Sequence, residues 1–245
     1  SGRFKAWSQE YGLRRLVNKV KRYQPAGRLL DIGCGTGLFL DAARRYGNWE
    51  VEGVEPSPVA AEYARGQLGL RVKQAAIGDA CFESASFDVI TLWYVLEHLH
   101  DPWAALQTVT DWLRPGGTLV ARVPHLESLD AKFFGRYWAG LDAPRHLYLF
   151  PRTVLQAMLV QAGLAPVAWQ CWGGYQLFAL SVLFWLGSRR AEPGQALPDG
   201  RLLRGLPVRA LTAPWFFLVD SVLKRGSALT VFAGNSGQNQ GPGNH

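Results

Sequence analysis

The stretch of this sequence best suited to hold a ligand is an acid followed by three alternating glycines, Asp31-Ile32-Gly33-Cys34-Gly35-Thr36-Gly37. The apolar pair Leu29-Leu30 precedes it, and Leu38-Phe39-Leu40-Asp41-Ala42-Ala43 opens a helical pattern after it. The order is therefore strand, glycine turn, helix. Such glycines let the backbone turn tightly and let a ligand lie against bare peptide at a helix N-terminus. A second acid, Glu55, ends the next apolar run, 22 residues after Gly33. A strand-ending carboxylate at this distance can accept from both hydroxyls of a ribose. A dinucleotide fingerprint would require a third glycine at position 38, where Leu38 stands, which argues against a nicotinamide cofactor.

The elements that must position these groups follow from periodicity. Trp7, Tyr11, Leu13, Leu16, Val17 and Val20 recur at helical spacing and predict a helix over 7–24, broken by Pro25-Ala26-Gly27. Strands are predicted at 28–32, 50–55, 70–73, 87–93 and 118–123, with helices at 38–46, from Pro56-Ser57-Pro58 to Gln67, and at 102–113. Arg114-Pro115-Gly116-Gly117 reads as a turn into the fifth strand. A helix over 152–162, a strand over 165–171 and a last strand over 228–233 complete the pattern. Strands alternating with helices specify an α/β fold with a parallel, doubly wound sheet.

Composition narrows the partners. The chain has 245 residues, 48% of them apolar, a formal charge of +7 and a sequence pI near 9.5. The basic residues are scattered rather than interleaved with aromatics, and no nucleic-acid-binding module is recognisable, so nucleic acid is not the expected partner. Cys34, Cys81 and Cys171 form no C-x-x-C pair, which excludes a zinc ribbon or a disulfide framework and suits a reducing cytoplasm. No signal-peptide pattern is visible, and a cytoplasmic protein is expected.

The ordered set Asp31-Ile32-Gly33-Cys34-Gly35-Thr36-Gly37, Glu55, Ser86-Phe87-Asp88-Val89-Ile90, Leu96-Glu97-His98-Leu99 and Leu113-Arg114-Pro115-Gly116-Gly117 resembles the class I S-adenosylmethionine (SAM) dependent methyltransferases. The likeness is greatest to their type 11/23 and ubiquinone-biosynthesis branches and covers residues 28–124. It implies a Rossmann-like, seven-stranded, mostly parallel sheet in a three-layer αβα arrangement. It also implies SAM as cofactor, S-adenosylhomocysteine as product, and a methyltransferase activity. Carried over residue by residue, Gly33, Cys34 and Gly35 would line the methionine and ribose portions, and Asp31 would hold the methionine amino group. Glu55, followed by Pro56, would bind the ribose, and Trp93 would flank the methionine. Where many relatives place an acid for the adenine amino group, this chain has Ala76. Either Asp79 substitutes for that acid, or the Ile77 backbone holds adenine; the backbone is the preferred reading. Quinone-methylating relatives can carry E-x-x-E-H metal ligands after the fourth strand. Here Tyr94 replaces the first acid, leaving Glu97 and His98. Neighbouring positions do not face one way on a helix, so no metal is expected.

The acceptor side is predicted from Trp138-Ala139-Gly140-Leu141-Asp142-Ala143-Pro144-Arg145-His146-Leu147-Tyr148-Leu149-Phe150, a pattern that recurs in a bacterial subset of the family. His146 is the candidate base, Asp142 its orienting acid, and Arg145 a holder of anionic groups. The alternative is that the three form a structural ion-pair and capping cluster. His98 is a competing base, with packing near the cofactor as its alternative.

The expected organisation is an N-terminal helix (1–24) covering the cleft, a SAM-binding domain (25–173) with a lid (124–150), an apolar helical insertion (174–227), a last strand (228–233) and a disordered tail (234–245). No Asp, Glu, Lys or Arg occurs between Arg152 and Arg189, and Tyr175–Leu186 is apolar almost all round but too short to span a bilayer, which takes about 20 residues. Residues 189–225 hold seven Lys or Arg against three Asp or Glu. Apolar faces with basic flanks suit peripheral contact with the inner face of a membrane through 174–225; a homodimer interface or a cap on the acceptor pocket is the alternative. The expected activity is methyl transfer to a small lipophilic acceptor, quinone- or lipid-like, at oxygen rather than carbon. A sugar or natural-product methyltransferase and a non-catalytic SAM-binding subunit are the alternatives.

Overall fold

A computed structural model describes residues 2–172, 175–190, 223 and 225–235. Seven strands form one sheet in the order β3-β2-β1-β4-β5-β7-β6. β1 (Gly27–Ile32) lies between β2 (Trp49–Val54) and β4 (Phe87–Trp93), parallel to both, and β3 (Val72–Lys73) pairs in parallel with β2. Leu29, Leu30, Asp31 and Ile32 are all buried, as a strand covered on both faces requires. The register sets Asp31 opposite Gly53 on β2 and opposite Thr91 on β4.

Helix boundaries follow from caps. α2 (Leu38–Tyr46) starts at Gly37 and buries Phe39, Leu40, Ala42 and Ala43. α3 (Pro58–Leu68) is capped by Ser57, whose hydroxyl accepts from Ala60 N, and it stops at Gly69 in the left-handed conformation. α4 (Pro102–Trp112) is capped by Asp101, with Pro102 in its first turn. α1 (Gly2–Lys21) starts and ends earlier than the periodicity predicts. It runs along α2, with Arg45 paired to Glu10 at 2.8 Å and Lys21 Nζ donating to Tyr46 O. Val17 and Val20 of α1 are fully buried in the core.

Two boundaries depart from expectation. β3 is shorter than predicted, because Leu70 N still closes α3 by donating to Ala64 O; Arg71 O already accepts from Gly53 N of β2 just before the strand begins. β5 (Leu113–Pro124) is longer: Arg114-Pro115-Gly116-Gly117, predicted as a turn, is part of the extended chain. Gly116 (φ +78°) absorbs the bend, and Arg114 is held by Asp88, whose carboxylate also accepts from Arg28 N.

The chain divides into two compact units, Ser1–Ala121 with Ala157–Ala168 and Val231–His245, and Arg122–Gln156 with Trp169–Thr230. In the first, Tyr23 stacks on Phe232 of β7 (Ala228–Asn235), and the Asn235 amide donates to the carbonyls of Thr110 and Leu113 at the end of α4. In the second, α5 (Leu129–Phe134) packs against α7 (Tyr175–Arg190), with Phe134 edge-on to Phe178. Ser181 of α7 accepts from Ala139 N at 2.8 Å and donates to Leu177 O. Residues 124–150 and α7, expected as a lid and as part of a separate insertion, thus share contacts within this unit. α6 (Arg152–Gln161) and β6 (Leu164–Trp172) come between them in sequence.

The second apolar stretch, over 206–223, lies outside the described residues apart from Leu223; of the expected tail, 234–245, Gly234 and Asn235 continue β7 and the rest lies outside the described residues. Among the described residues no helix is long and apolar enough to cross a membrane. All three cysteines are free thiols.

Candidate functional site

The glycine turn is tied to the end of β2 by three successive amides. Gly33 N and Cys34 N donate to Val54 O at 2.8 and 3.1 Å, and Gly35 N donates to Glu55 Oε2 at 2.7 Å. The other oxygen of Glu55 accepts from Ser57 N at 2.8 Å, across Pro56. Glu55 is therefore a buried clamp on the turn before any ligand arrives. An ionised carboxylate has about four lone-pair directions, so two remain for ribose hydroxyls. Gly33 and Gly35 both have positive φ, +66° and +55°. A Cβ on Gly33 would come within 2.7 Å of Val95 Cγ2, whereas one on Gly35 would meet nothing within 4 Å. The face of Gly35 is open, as bare peptide meant for a ligand should be.

Asp31 sits under this turn, 1% exposed, and Thr91 Oγ1 donates to its Oδ1 at 2.6 Å. Burial pushes its pKa up to about 7; the Thr91 bond opposes that rise and the charge of Glu55 adds to it. Burial first, then the charges of Asp31 and Glu55, push the Cys34 thiol far up, so it stays protonated. Its sulfur lies where a Cβ on Gly53 would approach to 2.7 Å, which makes Cys34 a packing residue of the turn rather than a nucleophile. Trp93, at the end of β4, packs edge-on to Phe39 at 4.9 Å. Ile77 is half-buried on a short turn in which Ala76 O accepts from Asp79 N and Ala80 N; Asp79 itself is exposed.

After β4 the chain turns through Tyr94, a non-glycine residue at φ +59°, into one 3-10 turn, Leu96–His98. Glu97 is fully buried there with no other residue bonded to either carboxylate oxygen, and burial pushes its pKa up to about 8 against a smaller opposing pull from its own backbone amide. His98, whose alternative reading was packing beside the cofactor, is exposed. A ligand atom of Glu97 and a ring nitrogen of His98 lie within 4.8 Å of each other.

In the second unit the structure does bring Asp142, Arg145 and His146 together. Asp142 takes φ +31°, and its carbonyl accepts from Arg145 N and His146 N. Its carboxylate pairs with Arg145 at 2.8 Å. His146 Nδ1 lies 2.8 Å from Gly140 O, and a carbonyl can only accept, so Nδ1 carries the proton. Nε2 is then the basic atom of the ring, 4.0 Å from Asp142 Oδ2. The cluster closes its own turn as a structural cap, with His146 Nε2 facing a carboxylate oxygen at 4.0 Å.

The motifs single out neither Thr91 nor the burial of Glu97. Thr91 was signalled by the polar residue inside Val89-Ile90-Thr91-Leu92, one strand away from Asp31. The burial of Glu97 had no signal, because it depends on the turn that Tyr94 makes.

This fold defines a doubly wound α/β domain in which the glycine turn, Glu55 and Trp93 stand at the carboxyl ends of β1, β2 and β4, where open sheets of this kind bind their ligands. Residues 5–168 match the methyltransferase domain family, and the chain belongs to it, within the class I SAM-dependent methyltransferases. It is 36% identical over 102 residues to a ubiquinone biosynthesis O-methyltransferase of Xanthomonas campestris, a match covering 39% of this chain and 42% of that protein. It is 29% identical over 175 residues to a protein of the same name from Actinobacillus pleuropneumoniae, covering 66% of this chain and 74% of that one. The chain thus spans under half the length of the Xanthomonas relative it matches. A SAM-dependent methyltransferase of Archaeoglobus fulgidus shares the fold, with a TM-score of 0.61 at 16% identity over 92% of this chain and 94% of that one.

Proposed function

We propose that this protein transfers the methyl group of SAM to an oxygen of a small apolar acceptor. The observation that carries the cofactor reading is the cradle of Gly33, Gly35, Asp31 and Glu55: a glycine turn with one open face between two buried acids. Asp31 would take the ammonium of the methionine portion, and Glu55 would add ribose hydroxyls to the two amides it already holds. Trp93 would flank the methionine. The Ile77 amide is favoured over the exposed Asp79 for adenine. The cofactor, when bound, supplies a methyl group already activated on a sulfonium, so the protein has mainly to position and desolvate the acceptor.

His146 Nε2 is the proposed base that takes the acceptor's hydroxyl proton as the methyl–oxygen bond forms; the electron pair of the broken methyl–sulfur bond stays on sulfur. Asp142 would stabilise the resulting imidazolium, and Arg145 an anionic group. Two things support oxygen as the methylated atom: the orientation of His146 by Gly140, and the O-methyltransferase name of the relatives. The apolar helix α7, in the same unit as His146, supports a lipophilic acceptor.

Calorimetry with SAM and with NAD, followed by S-adenosylhomocysteine release against polyprenylated phenols and extracted lipids, tests the reading. SAM binding without NAD binding is expected. Absence of SAM binding would overturn the proposal. His146→Ala should abolish turnover and keep SAM affinity; an unchanged rate would remove His146 as base.

A further inference from the structure

The bond between Thr91 and Asp31 carries more than packing. Thr91 is fully buried on β4, in direct register with Asp31 on β1, and its hydroxyl donates to Asp31 Oδ1 at 2.6 Å. A second acceptor, Leu30 O, lies 3.5 Å away, at the limit of a hydrogen bond, so the hydroxyl proton is committed to the carboxylate. The other groups that act on Asp31 are Glu55, at the end of β2, and Cys34, in the glycine turn. One is an acid and the other a neutral thiol, so neither favours the ionised form. Thr91 is the donor that does.

We propose that Thr91 is a positioning residue that holds the Asp31 carboxyl group in place for the cofactor, and so sets affinity for ligands that carry an α-amino group. The proposal rests on the reading that Asp31 receives the ammonium of the cofactor. Without the hydroxyl, a carboxyl this deeply buried holds its proton through neutral pH and offers no charge to an ammonium. The loss should therefore be confined to ligands with the amino-acid portion. It should also shrink at alkaline pH, where Asp31 ionises without help.

The test uses two neutral thioethers that differ only in that portion, S-adenosylhomocysteine and 5′-methylthioadenosine, measured by calorimetry between pH 6.5 and 9. Thr91→Val keeps the shape of the side chain and removes the hydroxyl. It should weaken S-adenosylhomocysteine about tenfold at pH 7.5, the scale of a lost hydrogen bond to a charged group. Methylthioadenosine should stay within about twofold, and the wild-type to variant ratio should narrow toward pH 9. Thr91→Ser, which restores the hydroxyl, should restore the affinity; if the valine variant does not fold, Thr91→Ala replaces it. An equal loss for both ligands, or a ratio that does not move with pH, would overturn the proposal. Asp31→Asn, measured alongside, tests the underlying reading separately: full S-adenosylhomocysteine affinity in that variant would mean that Asp31 does not hold the ammonium at all.

Discussion

Glu97→Gln should change how the stability of this protein depends on pH. The Glu97 carboxyl is fully buried and makes no hydrogen bond to another residue through either oxygen. Burial raises its pKa from 4.5 to about 8, so the folded protein holds a proton that the unfolded chain releases. The stability this group contributes is fully present below about pH 4.5, erodes as pH rises, and is gone above about pH 8. At about 1.4 kcal/mol per pH unit, the loss across that interval is on the order of 5 kcal/mol. Glutamine has nearly the same shape and no proton to lose. Its own buried amide costs stability, but equally at every pH, so the slope isolates the carboxyl. Urea unfolding of both proteins, followed by tryptophan fluorescence at pH 5, 6.5 and 8, supplies the numbers. Asp31 titrates with the same sign and is common to both, so the difference between them is the quantity to read. The variant should gain several kcal/mol on the wild type between pH 5 and pH 8. A difference constant to within about 1 kcal/mol over that range would refute the claim that Glu97 is buried and unpartnered.

The glycine turn yields two further tests. Gly33→Ala must move Val95 and hold a side chain at φ +66°, and should cost on the order of 1–3 kcal/mol in thermal or urea unfolding. Gly35→Ala meets no protein atom, so it should cost only the strain of φ +55°, about 1–2 kcal/mol, yet remove SAM binding measured by calorimetry, because the methyl group would occupy the open face. Glu55→Ala frees the amides of Gly35 and Ser57 and should destabilise the free protein by about 1–3 kcal/mol as well as weaken SAM. An effect on SAM alone would show that Glu55 does not clamp the turn.

The cofactor half of this molecule was legible because it is local. A glycine that must take positive φ, an acid at a strand end and a buried strand announce themselves within a few residues, and β1, α2, β4 and α4 stand within a residue of where periodicity places them. The errors fall where a neighbouring strand decides. Arg114-Pro115-Gly116-Gly117 reads as a turn by composition, yet Asp88 on β4 draws Arg114 into the sheet and Gly116 takes up the bend. Glu55 reads as a ribose ligand, and the spacing says nothing of the two amides that it holds across the turn.

Thr91 and Glu97 likewise owe their surroundings to a neighbouring element rather than to their own sequence neighbours. Both lie at or beyond the carboxyl end of β4, where the chain leaves a buried strand and polar groups must either find partners or await a ligand. Thr91 found one, because the parallel register of β1 and β4 sets it beside Asp31. Glu97 did not: the left-handed turn at Tyr94 carries it into the interior with its oxygens unpaired. Asp31 and Glu97 are therefore costly to the free protein in the same direction, each holding a proton that folding alone does not reward. If Asp31 takes the cofactor's ammonium as proposed, binding must release its proton. Calorimetric heats measured in buffers of different ionisation enthalpy at pH 6.5 should then report a fraction of a proton released per SAM bound, and none for Asp31→Asn. Equal heats in all buffers for the wild type would place the ammonium elsewhere.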